Sequence, residues 1–429
     1  MPRVSKRYNP FDRRGRHTIT LDSADIRESF LRFFEERGHK RLPSWPLVPP
    51  GEPPVTQGGL LFTTAGMHQF KRAFAGQEKA PHPRLTTVQK CFRTSDIDAV
   101  GDTAHLTFFE MLGNFSVGDY FKADAIPWAW ELLTAPRPQG MALDRSRLWA
   151  TIYLDDDEAF ELWRKVGIPA QRIVRFDESE NYWFSGPVGP CGPNSEIYYD
   201  FGRDQGCRAS DCAPPLHTPP DCSRFLELWN LVFMTLYQDE KGKRTPLPAR
   251  NIDTGAGLER WPVPILWQDS IDWQGKPKRW TGPPSVYDTD LFGPVIQRIE
   301  ELSAKRYGED PQTDRAMRIV AEHARAVTFL IGDERTPVLP SNEERGYVAR
   351  RIIRRAVYFG RRYLGLEEPF LGDVSETVIG AMAGAYPELE RQRGFVLEVI
   401  GPEERRFEET LSRGLEILNQ LITSHEEAG

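Results

Sequence analysis

Apolar residues recur along this chain at two different periods, and the change of period divides it. The segment SADIRESFLRFFEERGHKRLP carries Ile26, Phe30, Phe33 and Phe34 on one helical stripe, with Asp22 or Ser23 as cap and Gly38 as stop. Pro43, Pro46, Pro49 and Pro50 then force an extended passage. Between Leu60 and Tyr120 the runs LLFTTAG, TTVQKCFRT and HLTFFEML predict strands separated by turns, in a mostly antiparallel sheet. Ala125 to Leu133 returns to helix, while Ile197 to Tyr199, Phe225 to Tyr237 and Asp253 to Arg260 add strands and a closing helix. This alternation predicts an α+β domain over residues 21–265. A polar, turn-rich linker over 266–285 follows. Beyond it Leu291 to Leu302, Ala316 to Ile331, Gly346 to Leu364 and Glu403 to Leu421 all show helical spacing, so 286–429 reads as an all-helical domain.

Composition narrows the class. Hydrophobic residues at 39%, with 24 Phe, 13 Tyr and 11 Trp, supply core material for a globular protein. No apolar run approaches the ~18 residues of a membrane helix. Residues 1–20 read as a basic flexible arm without the apolar centre of a secretory signal. A net charge of -7 means that any nucleic-acid contact must come from a local basic surface. Five cysteines without a secretory signal point to reduced thiols and a cytoplasmic location.

Three constellations carry chemistry. Arg93 ends one predicted strand, the polar loop TSDIDAVGDTA follows, and Phe109 lies on the partner strand. The guanidinium offers a charged fork for a phosphate, and the ring offers a face for a purine. The segment DTGAGLER alternates glycines on a strand, so a ligand can approach its backbone, and delivers Arg260 to the first turn of a helix. Taken singly, these residues also fit an ion-pair arginine, a core phenylalanine and a capping Asp253. Cys207, Cys212, His217 and Cys222 form C-x4-C-x4-H-x4-C in a Pro- and Asp-rich insertion over 203–223. Three thiolates and an imidazole suit a tetrahedral structural Zn²⁺, and exposed loop cysteines are the alternative. Finally, GYVARRIIRRAVYFGRR buries Val348, Ile352, Ile353, Ala356 and Val357 and leaves Arg350, Arg351, Arg354 and Arg355 on another side. That stripe is the footprint of a nucleic-acid contact, or a solvated helix balanced by nearby glutamates.

The pair of motifs, arginine-loop-HxxxF followed by GxGxER, resembles the signature of class II aminoacyl-tRNA synthetases. The strings LLFTTAGMHQFK, TFFEMLGNFSVGDYFK, GPCGPNSEIYYD, FLELWNLVFMTLYQ and PSNEERGYVARRIIRRAVYFGR resemble the alanyl-tRNA synthetase family, in that family's order and over most of the chain. The resemblance implies a class II antiparallel sheet flanked by helices, then a helical domain for the tRNA(Ala) acceptor stem. It implies ATP, Mg²⁺ and alanine as ligands, and an alanine–tRNA ligase reaction through alanyl-adenylate. Within it Arg93 and Arg260 are the catalytic arginines, holding the α- and γ-phosphates of ATP. Phe109 stacks on adenine and Met67 lines the adenylate pocket. Trp183, Asn230, Asp253 and Gly255 surround the bound alanine, Asp253 pairing with its ammonium. Asn342 joins the arginines on the tRNA surface. Two departures stand out: the loop after Arg93 is short and lacks the family's lysine, and Glu344 occupies the position of an asparagine that reads the G3:U70 pair. The family's editing and oligomerisation domains have no counterpart in this sequence, so the expectation is its catalytic and tRNA-recognition part. A paralogue passing the adenylate to another acceptor, or a non-catalytic tRNA-binding module, are the competing readings.

Overall fold

A computed structural model describes residues 21–51, 59–207, 209, 212–215 and 222–428. The expected basic arm therefore lies outside the described residues. The chain forms two compact units. One comprises the chain up to Trp45, Thr64–Cys91 and Phe109–Asp290; the other comprises Pro46–Thr63, Phe92–Phe108 and Leu291–Gly429.

The first unit begins with α1 (Ser23–Glu35), capped by Asp22 in a capping box with Asp25. The strands are β1 (Lys40–Arg41), β2 (Arg84–Phe92), β3 (Phe108–Val117), β4 (Leu148–Tyr153), β5 (Ile173–Phe176), β6 (Tyr182–Phe184), β7 (Gly189–Asp200), β8 (Phe225–Gln238) and β9 (Arg244–Gly257). They join one sheet in the order β1-β2-β3-β9-β8-β7-β4-β5, with β6 paired to β7. The central pairs β3–β9, β8–β9, β7–β8 and β4–β7 are antiparallel, whereas β1–β2 and β4–β5 are parallel. The expected α+β architecture with a mostly antiparallel sheet is thus observed. LLFTTAG is not a strand. Only its last residue, Gly66, enters regular structure, opening the 3-10 turn Gly66–Phe70 ahead of the short α2 (Lys71–Phe74), and Thr63 exchanges single backbone bonds with Leu47 and Phe92 instead of joining a ladder.

The sheet has two differently filled faces. On one, α1 and α3 (Lys122–Thr134) bury an aromatic cluster in which Phe30 lies 5.6 Å from Trp229 and 5.9 Å from Trp261, these two indoles being 5.3 Å apart. On the other, Met67, Phe70 and Phe74 pack against Met111, Phe115, Val232 and Met234. The helix α4 (Asp157–Val166) is capped by Asp156, which also holds the buried Lys122 ammonium at 2.6 Å. A helix does follow the glycine-rich strand, but Arg260 precedes it. Leu258–Arg260 form a 3-10 turn and α5 (Pro262–Asp269) starts at Pro262, whose missing N–H is best placed in a first turn.

The second unit is built on α6 (Gly293–Ser303), α7 (Pro311–Ile331), α8 (Glu344–Phe359), α9 (Leu371–Met382), α10 (Pro387–Arg391) and α11 (Arg393–Ala428). Its central α7 is buried on nearly every side. The segment 59–63 is strapped to α8 by Arg345, which donates to the carbonyls of Leu60 and Leu61. Among the described residues no helix is long and apolar enough to cross a membrane.

Trp229 is fully buried and touches both helix-side aromatics and Trp261. Replacing it by alanine is expected to cost ~3–5 kcal/mol in urea unfolding. A loss under ~1 kcal/mol would show that this cluster does not anchor the sheet.

Candidate active site

The register of the central strands assembles the site. Glu196 on β7 pairs with Asn230 on β8, which pairs with Gly255 on β9; one row along, Asn194 pairs with Val232 and Val232 with Asp253. Because side chains alternate, these residues share the sheet face that also carries Met111 and Phe109 of β3. A register shift between Ile197 and Tyr198 sets Glu227 opposite Tyr198, so that Glu227 lies on the same side as Glu196. Gly192 allows the β7–β8 approach, since a Cβ there would meet the Phe233 carbonyl oxygen at 2.2 Å. A Cβ on Gly255 would meet the Met111 sulfur at 2.9 Å. The space above Gly255 is therefore bounded by a flexible thioether.

The charges on this face are only partly matched. Asp253 is buried, no hydrogen bond or ion pair reaches its carboxylate among the described residues, and burial alone pushes it up to about 7. Burial, with the neighbouring Glu227 charge second, raises Glu196 to about 8. Glu196 accepts from the Tyr198 hydroxyl at 2.6 Å and the Asn230 amide at 3.1 Å, and Asn194 donates to Asn230 at 2.9 Å. Arg260 reaches the Glu227 carboxylate at 2.6 Å. Two acidic side chains facing one arginine repel each other, which adds to burial in making Glu196 hold its proton tightly; a cation bound between them would relieve that repulsion. The sequence reading named Asn230 but neither Glu196 nor Glu227. Their signal was a glutamate in each of two otherwise apolar strands, SEIYY and FLELWN.

The other expected residues are placed as follows. Trp183 and Phe109 are half-buried against the core cluster containing Met111 and Val232, and Met67 is fully buried within it. Arg93 directly follows β2 and belongs to the second unit, where its backbone N–H donates to Thr107 O at 2.8 Å.

The Cys207, Cys212 and Cys222 sulfurs lie within 4.8 Å of one another, with Cys212 and Cys222 3.7 Å apart. Burial raises the Cys212 thiol to about 11. His217, the expected fourth ligand, lies outside the described residues. The cluster is anchored by Arg224, which grips Asp200 through two bonds of 2.7 and 2.8 Å and donates to the Cys212 carbonyl.

On α8 the arginine stripe is largely engaged within its own unit. Arg350 and Arg354 both pair with the buried Glu403, Arg350 also donates to the Asn342 side chain, and Arg351 pairs with Asp98. Arg355 turns inward to His323 and the Val100 carbonyl. Tyr347, Arg351, Arg354 and Tyr358 lie on one helix face and remain substantially open, Tyr347 at 54% and Arg351 at 41%.

A family model described as tRNA synthetases class II (A) matches residues 25–429. The alanine–tRNA ligase of Dehalococcoides mccartyi (strain ATCC BAA-2100) is 51% identical over 403 residues, covering 94% of this chain and 43% of that protein. That of Pelotomaculum thermopropionicum is 50% identical over 407 residues, with 94% and 43% covered. That of Anaeromyxobacter sp. (strain Fw109-5) is 49% identical over 409 residues, with 92% and 42% covered. The chain thus spans less than half the length of these relatives. Motifs, sheet register and family match agree, and the chain belongs to the class II tRNA synthetases.

Proposed function

We propose that this chain is an alanine–tRNA ligase module, which activates alanine with ATP and passes the alanyl group to the 3′ end of tRNA(Ala). The observation that carries the reading is Asp253: a buried, unpartnered carboxylate beside Gly255 and Asn230, in a chain about half identical to proteins named alanine–tRNA ligase. A carboxylate in that condition is matched by an ammonium ion. Glycine at 255 with Met111 above it leaves room beside the ammonium for a small side chain only. Trp183, packed against the cluster that holds Met111 and Val232, is assigned to the wall of the same pocket.

In the proposed reaction the alanine carboxylate attacks the α-phosphorus of ATP. The bond to the bridging oxygen breaks and pyrophosphate leaves with its electron pair. No protein nucleophile is needed, and catalysis is orientation plus neutralisation of spreading negative charge. Arg93 is assigned the α-phosphate, Arg260 the γ-phosphate and Phe109 the adenine face, with Met67 supporting that wall from the core. Glu196 and Glu227 would hold Mg²⁺, which would relieve their mutual repulsion and supply positive charge to the triphosphate. ATP competes with Glu227 for Arg260 and frees that carboxylate for the cation. The open Tyr347–Arg351–Arg354–Tyr358 face suits an acceptor stem, two arginines being flanked on it by two tyrosines. Asn342, held by Arg350, borders that helix, and inward-facing Arg355 contributes from behind it. The cysteine triad suits a structural Zn²⁺, and five cysteines with no disulfide among them fit a reducing cytoplasm.

The direct test is alanine-dependent ATP–pyrophosphate exchange, run beside alanyl transfer to tRNA(Ala) with and without its G3:U70 pair. Exchange with G3:U70-dependent transfer is expected. Exchange without transfer would support the paralogue reading, and no exchange would refute adenylate formation.

Asp253→Asn is expected to lower kcat/KM for alanine roughly 10²-fold or more, by removing the ammonium's partner. The raised Asp253 value also dictates a pH response. Between its unfolded value near 4 and about 7 the folded protein holds a proton that the unfolded chain has lost, so stability is greatest on the acid side and falls as pH rises. The variant is therefore expected to exceed wild type in stability at pH 8, by on the order of 1–4 kcal/mol in urea titrations, and by less at pH 5. For wild type, kcat/KM for alanine is expected to rise through pH 7. A flat profile, or a variant no more stable at pH 8, would contradict an unpartnered carboxylate.

Zinc binding is expected at one ion per chain, with proton release, and is expected to be lost in Cys222→Ser. Three thiols that still react freely with a thiol reagent in the presence of excess Zn²⁺ would exclude the site.

A further inference from the structure

Helix α7 carries two adjacent polar residues, Glu322 and His323, in the apolar run IVAEHARAVTFL, and both are fully buried. Neither is accounted for by the adenylate site or the open face of α8. Their partners lie on the segment that carries Arg93. One Glu322 oxygen accepts the Thr107 N–H at 2.6 Å, the Thr107 hydroxyl at 2.5 Å and the Phe108 N–H at 3.0 Å. The other faces His323 Nδ1 at 2.5 Å. The far ring nitrogen, Nε2, lies 2.7 Å from Nη1 of Arg355, whose Nη2 donates to the Val100 carbonyl at 3.1 Å.

The chemistry of the three groups dictates the protonation. A guanidinium has donors only, so Nε2 of His323 must accept; the single ring proton then sits on Nδ1 and is donated to Glu322. Burial lowers the imidazole's affinity for a second proton despite the adjacent carboxylate, which agrees with the neutral ring. The result is a directed chain from the Arg355 cation through a neutral imidazole to the Glu322 anion, in which both ring nitrogens and both carboxylate oxygens are used. Its two ends grip the hairpin at different places. Glu322 holds Thr107 and Phe108, and Thr107 O receives the Arg93 N–H; Arg355 holds Val100 near the loop tip. Arg351 adds Asp98, and Phe108 stacks on Phe329 at 4.0 Å.

We infer that Glu322, His323 and Arg355 are positioning residues that fix the hairpin 92–108, and with it Arg93, on the helical unit. The loop after Arg93 is short and has no lysine, so its shape is held from behind. Arg355 then acts on the loop, whether or not RNA is present, although it belongs to the helix read as an RNA surface. The catalytic consequence rests on the proposed role of Arg93 at the α-phosphate; the clamp itself does not.

Two measurements separate these. Hydrogen–deuterium exchange on the whole chain is expected to show faster exchange at Arg93, Thr107 and Phe108 in His323→Ala and Arg355→Ala, with β7 and β8 unchanged. His323→Gln keeps one donor and one acceptor and is expected to recover part of the protection. Arg391→Ala, a surface ion-pair residue, serves as the control. In pyrophosphate exchange, which needs no tRNA, the KM for ATP is expected to rise about tenfold in His323→Ala and Arg355→Ala, with the KM for alanine changed less than twofold. Unchanged protection would overturn the clamp. Lost protection with an unchanged KM for ATP would overturn its role in positioning Arg93. An Arg355→Ala effect confined to tRNA transfer would likewise refute it. If wild type shows no pyrophosphate exchange, the proposed function fails, and the deuterium measurement still decides the clamp.

Discussion

The antiparallel ladder from β3 through β9 and β8 to β7 is the constraint on which the site depends. Side chains in a sheet alternate strictly, so one register decides which residues share a face. Here it sets Glu196, Asn230 and Gly255 in one row and Asn194, Val232 and Asp253 in the next. A slip of one residue in β9 would send Asp253 to the face occupied by Trp229 and the helices. Register shifts at Cys191–Asn194, Ile197–Tyr198 and Met234–Leu236 interrupt that alternation, and the one at Ile197–Tyr198 adds a second carboxylate to the face.

On this scaffold the protein keeps acidic groups that its own cations do not fully pair. Among the described residues Asp253 has no partner, and Glu196 and Glu227 share one arginine. Other buried charges do meet a counter-charge: Lys122 meets Asp156, Arg27 meets Glu110 through two bonds, and Arg224 meets Asp200 the same way. The contrast marks the sheet face as built for charged ligands. Under the proposed function, three substrate features would answer it: an ammonium for Asp253, a divalent cation for the glutamates and a phosphate for Arg260.

Much of this was legible in the residues. The capped stripe of α1, the strands β2, β3 and β8, and the helices α7 and α8 follow from apolar spacing, because one buried face imposes its own period. Asp253, Gly255 and Arg260 were legible through DTGAGLER, where glycines at alternate positions signal close approach to a strand. LLFTTAG misled, because an apolar run with Thr looks like a strand whatever its backbone bonds to. Glu196 and Glu227 were passed over, since a lone glutamate in a strand gives no sign of what stands opposite. Glu322 and His323 were also missed, although a charged pair inside an apolar helix is a signal that partners must exist.

The sequence by itself determined the α+β class, the helical second half and the residues proposed to meet ligands, because local periodicity and short motifs encode them within a few residues. Only the tertiary structure decided how the charges are paired. The arginines of α8 read as one uniform stripe along the chain. In the fold Arg350 and Arg354 converge on Glu403, Arg351 reaches Asp98, and Arg355 turns inward to His323. Those partners lie roughly 30 to 250 residues away in sequence, and no local pattern specifies which distant carboxylate or carbonyl will stand within 3 Å of a side chain.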